Sequence, residues 1–309
     1  MSKLLVVFGI TGQQGASVAN TVLQDAELSK MYSIRGVTRD VTKPEAAAWT
    51  TKGVEMVAAD TDDRESIKKA LAGAHAVFAM TISLYRPGGA EQELAQGKAI
   101  ADETVAAGAH LLVFSVVPSA SKISGGKYPV ISFDTKDAIK EYIEKLPIKS
   151  AFFSPGGFMQ NYVEGGMKPR EQPDGSFALT SFVAPTSAWP LIEIAADTGK
   201  FVGAVLASPV ERAGQTFSAA TALYTHEEVA ASMSKVSGKK VVYNQVSKEA
   251  YGNALPEAMR SVYLNMLSYI DEFGYYGAEE KQLVEWSAKN ARGKLTTFEE
   301  FLRKAEFKL

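Results

Sequence analysis

The chain has 309 residues, 46% hydrophobic and 22% charged, and its 33 Lys and Arg against 35 Asp and Glu leave a formal charge of -2. That balance fits an ordinary globular protein and argues against one built to coat nucleic acid or a membrane surface. The sequence contains no cysteine, which excludes disulfides, Cys-ligated zinc, iron–sulfur clusters and thiol nucleophiles; with no run near the ~18 apolar residues of a membrane span, a cytoplasmic protein is expected.

Strand and helix signals alternate through the first half. Lys3–Phe8 is a continuous apolar run ending at Gly9, as in a buried parallel strand. Ala16–Leu28 has helical spacing, with Val18, Val22, Leu23 and Ala26 on one face. Ile34–Thr38 is a second strand, and Pro44 opens a short helix that stops at Gly53. Val54–Ala59 is a third strand; Asp63 caps a helix reaching Ala72. Ala76–Ile82 is a fourth strand, Ser83–Ala90 a loop and Glu91–Ala107 a long helix. Leu111–Val117 is a fifth strand, Pro118–Ile131 a loop, Phe133–Leu146 a helix and Ile148–Ser154 a sixth strand. Repeated β–α units of this kind predict an α/β fold, a Rossmann-type doubly wound parallel sheet with helices on both faces.

After Pro155 glycine and proline become frequent. Ile192–Ile194 reads as a return to the sheet, followed by a helix capped by Asp197 and a strand over Thr216–Ala220. Lys240–Val246 alternates as a half-buried strand. Thr225 with Glu228 and Thr297 with Glu300 form capping boxes. The expected organisation is a Rossmann-type domain over 1–155, with a return of the chain around 190–222, and a smaller, discontinuous mixed lobe over 156–309 above the carboxyl edge of the sheet. The aromatic residues of the last ~50 positions are read as core of that lobe.

The strongest local signal is Gly9-Ile10-Thr11-Gly12-Gln13-Gln14-Gly15, leaving the first strand and opening the first helix. Gly9 serves a sharp turn, Gly12 close approach of a pyrophosphate and Gly15 helix–strand packing. The helix start then offers N–H groups and the positive end of its dipole. Cofactor choice is read after the second strand, at Val37-Thr38-Arg39-Asp40. Arg39 suits a 2′-phosphate, so NADP(H) is expected in preference to NAD. Asp40 lies one residue past the position of an NAD-type ribose carboxylate. Asp60 is a candidate for the adenine amino group or for a helix cap, and Met80 and Thr81 are expected in the same crevice.

A short-chain dehydrogenase needs a Tyr-x-x-x-Lys pair, in which the lysine lowers the phenol pKa. None of the 12 tyrosines has a lysine four residues on. Lys136 stands where that lysine belongs, but Ser132 takes the tyrosine's place. Ser115 ends the fifth strand, at the usual site of a third catalytic group, and Tyr128 lies in a loop eight residues before Lys136. The catalytic candidates are therefore Lys136, with Ser115 and Tyr128 as helpers. His75 and His110 start strands at the amino edge of the sheet and read as structural, His226 reads as solvated, and no metal site is expected.

Several stretches together resemble the NmrA-like family of atypical short-chain dehydrogenases. They are Gly9–Gly15, Val37-Thr38-Arg39, Ala59–Asp63, Phe133-Asp134-Thr135-Lys136 with Glu141-Tyr142, Ser154–Asn161 and Leu295–Phe301. The resemblance implies a dinucleotide site in which Lys136 and the Pro155–Asn161 segment, through Pro155, Phe158 and Asn161, face the nicotinamide end. It also implies a redox sensor or transcriptional co-regulator that lacks the catalytic tyrosine. The partner expected is a protein, of which a transcription factor is one kind, with no direct nucleic acid and no membrane; a homodimer and a nuclear location stay open. The alternative is an NADPH-dependent reductase like the isoflavone-reductase group, with Lys136 moving the proton.

Overall fold

The alternating strand and helix signals of the first half resolve into one parallel sheet. A computed structural model describes residues 2–309. Strand β1 (Lys3–Phe8) leads through α1 (Gln13–Gln24) and α2 (Leu28–Met31) to β2 (Tyr32–Thr38). There follow α3 (Pro44–Thr50), β3 (Glu55–Ala58), α4 (Arg64–Leu71), β4 (Ala76–Ala79), α5 (Gly89–Ala106) and β5 (Leu111–Ser115). Then come α6 (Ala120–Ile123), α7 (Ile131–Ile143) and β6 (Lys149–Pro155). The predicted Pro118–Ile131 loop thus carries one turn of helix, with the Ser119 hydroxyl accepting from Lys122 N at its start.

Beyond β6 the elements shorten. They are β7 (Gly157–Phe158), β8 (Arg170–Glu171), β9 (Phe177–Ser181), β10 (Ala188–Ile192), α8 (Ile194–Ala207), β11 (Thr216–Ala219) and β12 (Ala222–Thr225). The chain ends with α9 (His226–Ser237), β13 (Val241–Gln245), α10 (Lys248–Asn253), α11 (Glu257–Phe273), α12 (Glu280–Lys289) and α13 (Phe298–Lys304).

Seven strands make the main sheet in the order β11-β6-β5-β4-β1-β2-β3, all parallel. The order reverses between β1 and β4, which opens a crevice outside their carboxyl ends. Because both faces are covered, the central strands are apolar throughout rather than alternating. One face buries Leu5, Val7, Val18, Val22, Phe201 and Phe217 under α1 and α8. The other buries Val6, Phe8, Ile67, Ile100, Ile139 and Phe152 under α4, α5 and α7. A third core, with Met159, Tyr162, Trp189, Tyr269, Tyr275 and Phe298, lies in the C-terminal half. It is tied to β6 by two phenols: Tyr276 donates to Ser154 O at 2.7 Å and Tyr275 to Pro155 O at 3.1 Å.

Four expectations need correction. First, Ile192–Ile194 is no return to the main sheet. β10 belongs to a three-stranded sheet with β12 and β7, and the return is made by α8, packed on α1, and by β11, paired with β6. Second, Asp197 is not the cap of α8. Glu193 takes that place, accepting from Ala196 N, while Asp197, fully buried, reaches Thr296 N at 2.8 Å and the Lys200 ammonium at 2.6 Å. Third, the first helix runs over Gln13–Gln24 and the chain turns before Leu28. Asp25 Oδ1 holds that turn by accepting from Glu27 N and Leu28 N, and Arg292 grips the same carboxylate.

Fourth, His226 is not solvated. It is 3% exposed, with its ring stacked 4.7 Å from Tyr243 and 5.5 Å from Trp189, and burial lowers its pKa to about 4. Helix α9 packs on β13, so the first turn of the helix faces inward. His75 and His110 lie side by side at the amino edge, ring centroids 4.5 Å apart. Most of the late aromatics do enter the third core, but Trp286 packs on Phe217 of β11, 5.2 Å away. No described helix is long and apolar enough to cross a membrane.

Candidate dinucleotide site

The Gly9–Gly15 turn sits at the switch between β1 and β4. Gly9 has φ +62°, a left-handed backbone that other residues adopt at a cost. Its carbonyl accepts from Gly12 N at 2.9 Å, closing the turn. A Cβ on Gly15 would stand 2.3 Å from the Gly9 carbonyl oxygen, so only glycine lets α1 start this close to β1. Gly12 occupies the N-cap of α1 without a side-chain bond, and no acidic residue stands in the first turn. The amide groups of that turn are therefore left for an anion. Thr11, Gly12 and Gln13 are exposed, and Gln14 Oε1 is buried without a partner among the described residues. A cradle that a Cβ would fill, an uncapped helix start and an orphaned polar atom suit a pyrophosphate.

The other candidate residues rim the same edge. Thr38 ends β2, its hydroxyl 3.5 Å from that of Thr11. Arg39 follows, exposed and without an ion pair among the described residues. Asp40 is turned aside: its carboxylate accepts from Thr42 N at 2.9 Å and Thr42 Oγ1 at 2.6 Å, and these bonds hold its pKa below the usual range. Asp60 lies two residues past β3 and accepts from Asp62 N, while Asp63 caps α4. Met80 lies just past β4, its methyl group 3.6 Å from where a Gly9 Cβ would be. Asp62 is a link that sequence reading misses: Gln92 and Gln96 of α5 donate to its two oxygens at 2.7 and 2.9 Å. The loop after β3 is thereby joined to the helix that follows β4.

Lys136, in the second turn of α7, points back to the end of β4. Its ammonium meets Thr81 O at 3.0 Å, Thr81 Oγ1 at 3.2 Å and Glu93 Oε1 at 2.5 Å. Thr81 Oγ1 in turn donates to the same Glu93 oxygen at 2.8 Å. The Glu93 side chain is 1% exposed and that of Lys136 17%. Glu93 is a functional residue that sequence reading misses, although it falls with Gly97, Ile100, Ala101 and Thr104 on the buried face of α5. A carboxylate on such a stripe needs a partner.

Neither catalytic helper is hydrogen-bonded to Lys136 among the described residues. Ser115 ends β5 and is buried at the carboxyl edge. Tyr128 does not fold back toward Lys136: its hydroxyl donates to Glu272 Oε2 of α11 at 2.8 Å, and Lys127 meets the same carboxylate. The loop chain leads the ring away, onto the edge of Phe273.

In the Pro155–Asn161 segment, Pro155 is buried, Phe158 half-buried and Asn161 exposed. Met159 is fully buried in the third core and lines no cleft. Gln160 donates to Glu193, whose carboxyl pKa is raised chiefly by burial. A cavity of about 10 Å³, room for one water, lies among Ser83, Leu84, Tyr85, Glu93, Ser132 and Thr135. A wider one of about 330 Å³ lies farther out, between Pro129, Ile131, Asp134 and the Ser261–Asn265 face of α11. Ile82, Tyr85 and Ile131, at 71%, 56% and 57% exposed, leave apolar surface around the smaller cavity.

Comparison with known proteins agrees with this architecture. An NmrA-like family domain-containing protein of Dictyostelium discoideum is 26% identical over 322 residues, covering 100% of both chains. The NmrA-like family domain-containing oxidoreductase FrzB of Cladobotryum sp is 28% identical over 276 residues, 83% of this chain and 81% of its own. Among solved structures, NmrA, a negative transcriptional regulator in complex with NAD, superposes with a TM-score of 0.80 at 20% identity, covering 98% of this chain and 95% of that one. The triphenylmethane reductase of Citrobacter sp., complexed with NADP(H), gives 0.76 at 20% identity and covers 98% and 99%. The sequence profile of the NmrA-like family matches residues 1–302, and the chain belongs to that family.

Proposed function

We propose that this protein binds a nicotinamide dinucleotide across the carboxyl edge of the main sheet, NADP(H) in preference to NAD, and reports its state to a protein partner without turning over a substrate. The observation that carries the reading is the uncapped α1 start beneath the Gly9–Gly15 turn at the β1–β4 switch. In it, Thr11, Gly12, Gln13 and Gln14 hold the pyrophosphate, Arg39 the 2′-phosphate and Asp60 the adenine side. Met80, Thr81, Lys136, Pro155, Phe158 and Asn161 border the nicotinamide half.

Three features favour a sensor. Position 132 is serine, a far weaker acid than a phenol. Tyr128 is spent on Glu272. The three donors of the Lys136 ammonium already face three acceptors. An ammonium pinned in this way, next to a buried carboxylate, is poorly placed to shuttle a proton to a substrate. Titration of NADP+, NADPH and NAD into the wild type and Arg39→Ala tests the cofactor reading, with a loss of NADP preference expected in the variant. An unchanged preference removes the role given to Arg39. Turnover of NADPH with a carbonyl or alkene substrate, abolished by Lys136→Met, would falsify the sensor reading.

The second reading is an NADPH-dependent reductase, in which the bound cofactor supplies hydride. It is favoured by the exposed Ile82, Tyr85 and Ile131 near Lys136, which suit an apolar substrate, and by a fungal relative named as an oxidoreductase.

A further inference from the structure

Glu93 is a fully buried carboxylate with no part in the phosphate turn. We propose that the Glu93–Lys136 pair sets how strongly the site distinguishes the oxidised from the reduced nicotinamide, with Glu93 as the positioning residue that cancels the charge of Lys136. This rests on the dinucleotide reading above.

With β2 on one side of β1 and β4 and β5 on the other, a dinucleotide whose phosphates lie on α1 and whose adenosine meets the end of β2 carries its nicotinamide over β4 and β5. Lys136 and Thr81 stand at that end, and behind them Glu93 closes a single cluster: ammonium to carboxylate 2.5 Å, ammonium to Thr81 O 3.0 Å, Thr81 hydroxyl to carboxylate 2.8 Å. The lysine keeps a small exposed edge, 17%, whereas the glutamate is sealed at 1%. The oxidised nicotinamide ring carries a positive charge and the dihydro form none. A lone ammonium beside the ring would repel the oxidised form selectively, and in a partly buried site water screens that repulsion poorly. The carboxylate behind it brings the cluster back to neutrality, so both forms are accepted. The pair is therefore an electrostatic dial on the redox preference, separate from the phosphate contacts that set overall affinity.

Calorimetric titration of NADP+ and NADPH into wild type, Glu93→Gln, Lys136→Met and the double variant tests this. The readout is the ratio of the two dissociation constants, oxidised over reduced. Glu93→Gln is expected to raise it roughly tenfold, the scale of one uncompensated charge in a partly buried site. Lys136→Met is expected to lower it, and the double variant, which leaves no lone buried charge, to return it to within about twofold of wild type. A merely structural role for Glu93 would weaken both forms alike. If wild type binds neither form, the dinucleotide reading fails. If both bind and folded Glu93→Gln keeps the wild-type ratio, or the double variant does not restore it, this inference is overturned and the dinucleotide reading stands. Should Glu93→Gln not fold, an unchanged ratio in Lys136→Met overturns it instead.

Discussion

His226 makes stability depend on pH in a way that can be worked through. The perturbation is a drop from pH 7 to pH 5. The ring is 3% exposed between Trp189 and Tyr243, and burial lowers its pKa from 6.5 to about 4, against a smaller opposing pull from Asp271. A base with a depressed folded pKa binds fewer protons folded than unfolded between pH 4 and 6.5. Its contribution is thus fully present above the unfolded value and is lost as pH falls toward the folded one. At about 1.4 kcal/mol per unit the full loss is about 3 kcal/mol, of which about 2 kcal/mol falls between pH 7 and pH 5. The assay is urea unfolding at both pH values, followed by tryptophan fluorescence and circular dichroism, for wild type and His226→Phe. Buried carboxyls with raised pKa values, Glu193 and Glu280, titrate in both proteins and cancel in the comparison. Wild type should lose about 2 kcal/mol more than the variant on acidification. Parallel losses in the two would refute the assignment to His226.

Three further outcomes follow from the geometry. Gly15→Ala, whose Cβ would meet the Gly9 carbonyl oxygen at 2.3 Å, should lower stability by about 1–3 kcal/mol and abolish NADPH binding in a titration; retained affinity would move the phosphate site elsewhere. Asp197→Ala strips the acceptor from Thr296 N and Lys200 and should cost about 3 kcal/mol in urea unfolding, with a loss below about 1 kcal/mol speaking against the contact. Tyr128→Phe removes only the hydroxyl bonded to Glu272 and should leave NADPH affinity unchanged; a tenfold loss would return Tyr128 to the site.

Much of the first half was legible because buried parallel strands announce themselves. Lys3–Phe8 is a continuous apolar run that meets Gly9, and the run that begins with β5 at Leu111 goes on through Val117 to Pro118. The Gly9–Gly15 turn was legible for the same reason: a spacing that only one geometry needs. What failed to read was everything set by distant partners. Asp197 and Glu193 both suit a helix start in sequence, and Thr296, 99 residues on from Asp197, decides between them. His226 stands in the first turn of a capped helix, a place usually wet, until α9 is laid on β13. The small sheets use strands of two to five residues among glycines and prolines, too short for periodicity to speak. Glu93 went unread because its partner Lys136 is 43 positions away.

The way the chain closes its main sheet has a consequence for how it is made. Segment 1–155 leaves the ribosome with β6 as an unpaired edge and with α1 uncovered, because α8 and β11 arrive only with residues 194–219. At about 5–20 residues per second, the ~60 residues between Pro155 and Thr216 leave an interval of roughly 3–12 seconds. During that time the Ser17 and Thr21 side of α1, against which α8 later packs, lies bare, and Phe152 offers its backbone to any passing strand. Gly199 then seats α8 against α1, its amide donating to Ser17 Oγ at 2.9 Å. A nascent chain of this design is most exposed to mispairing in that interval, and a shortened version ending near residue 155 would remain in it permanently.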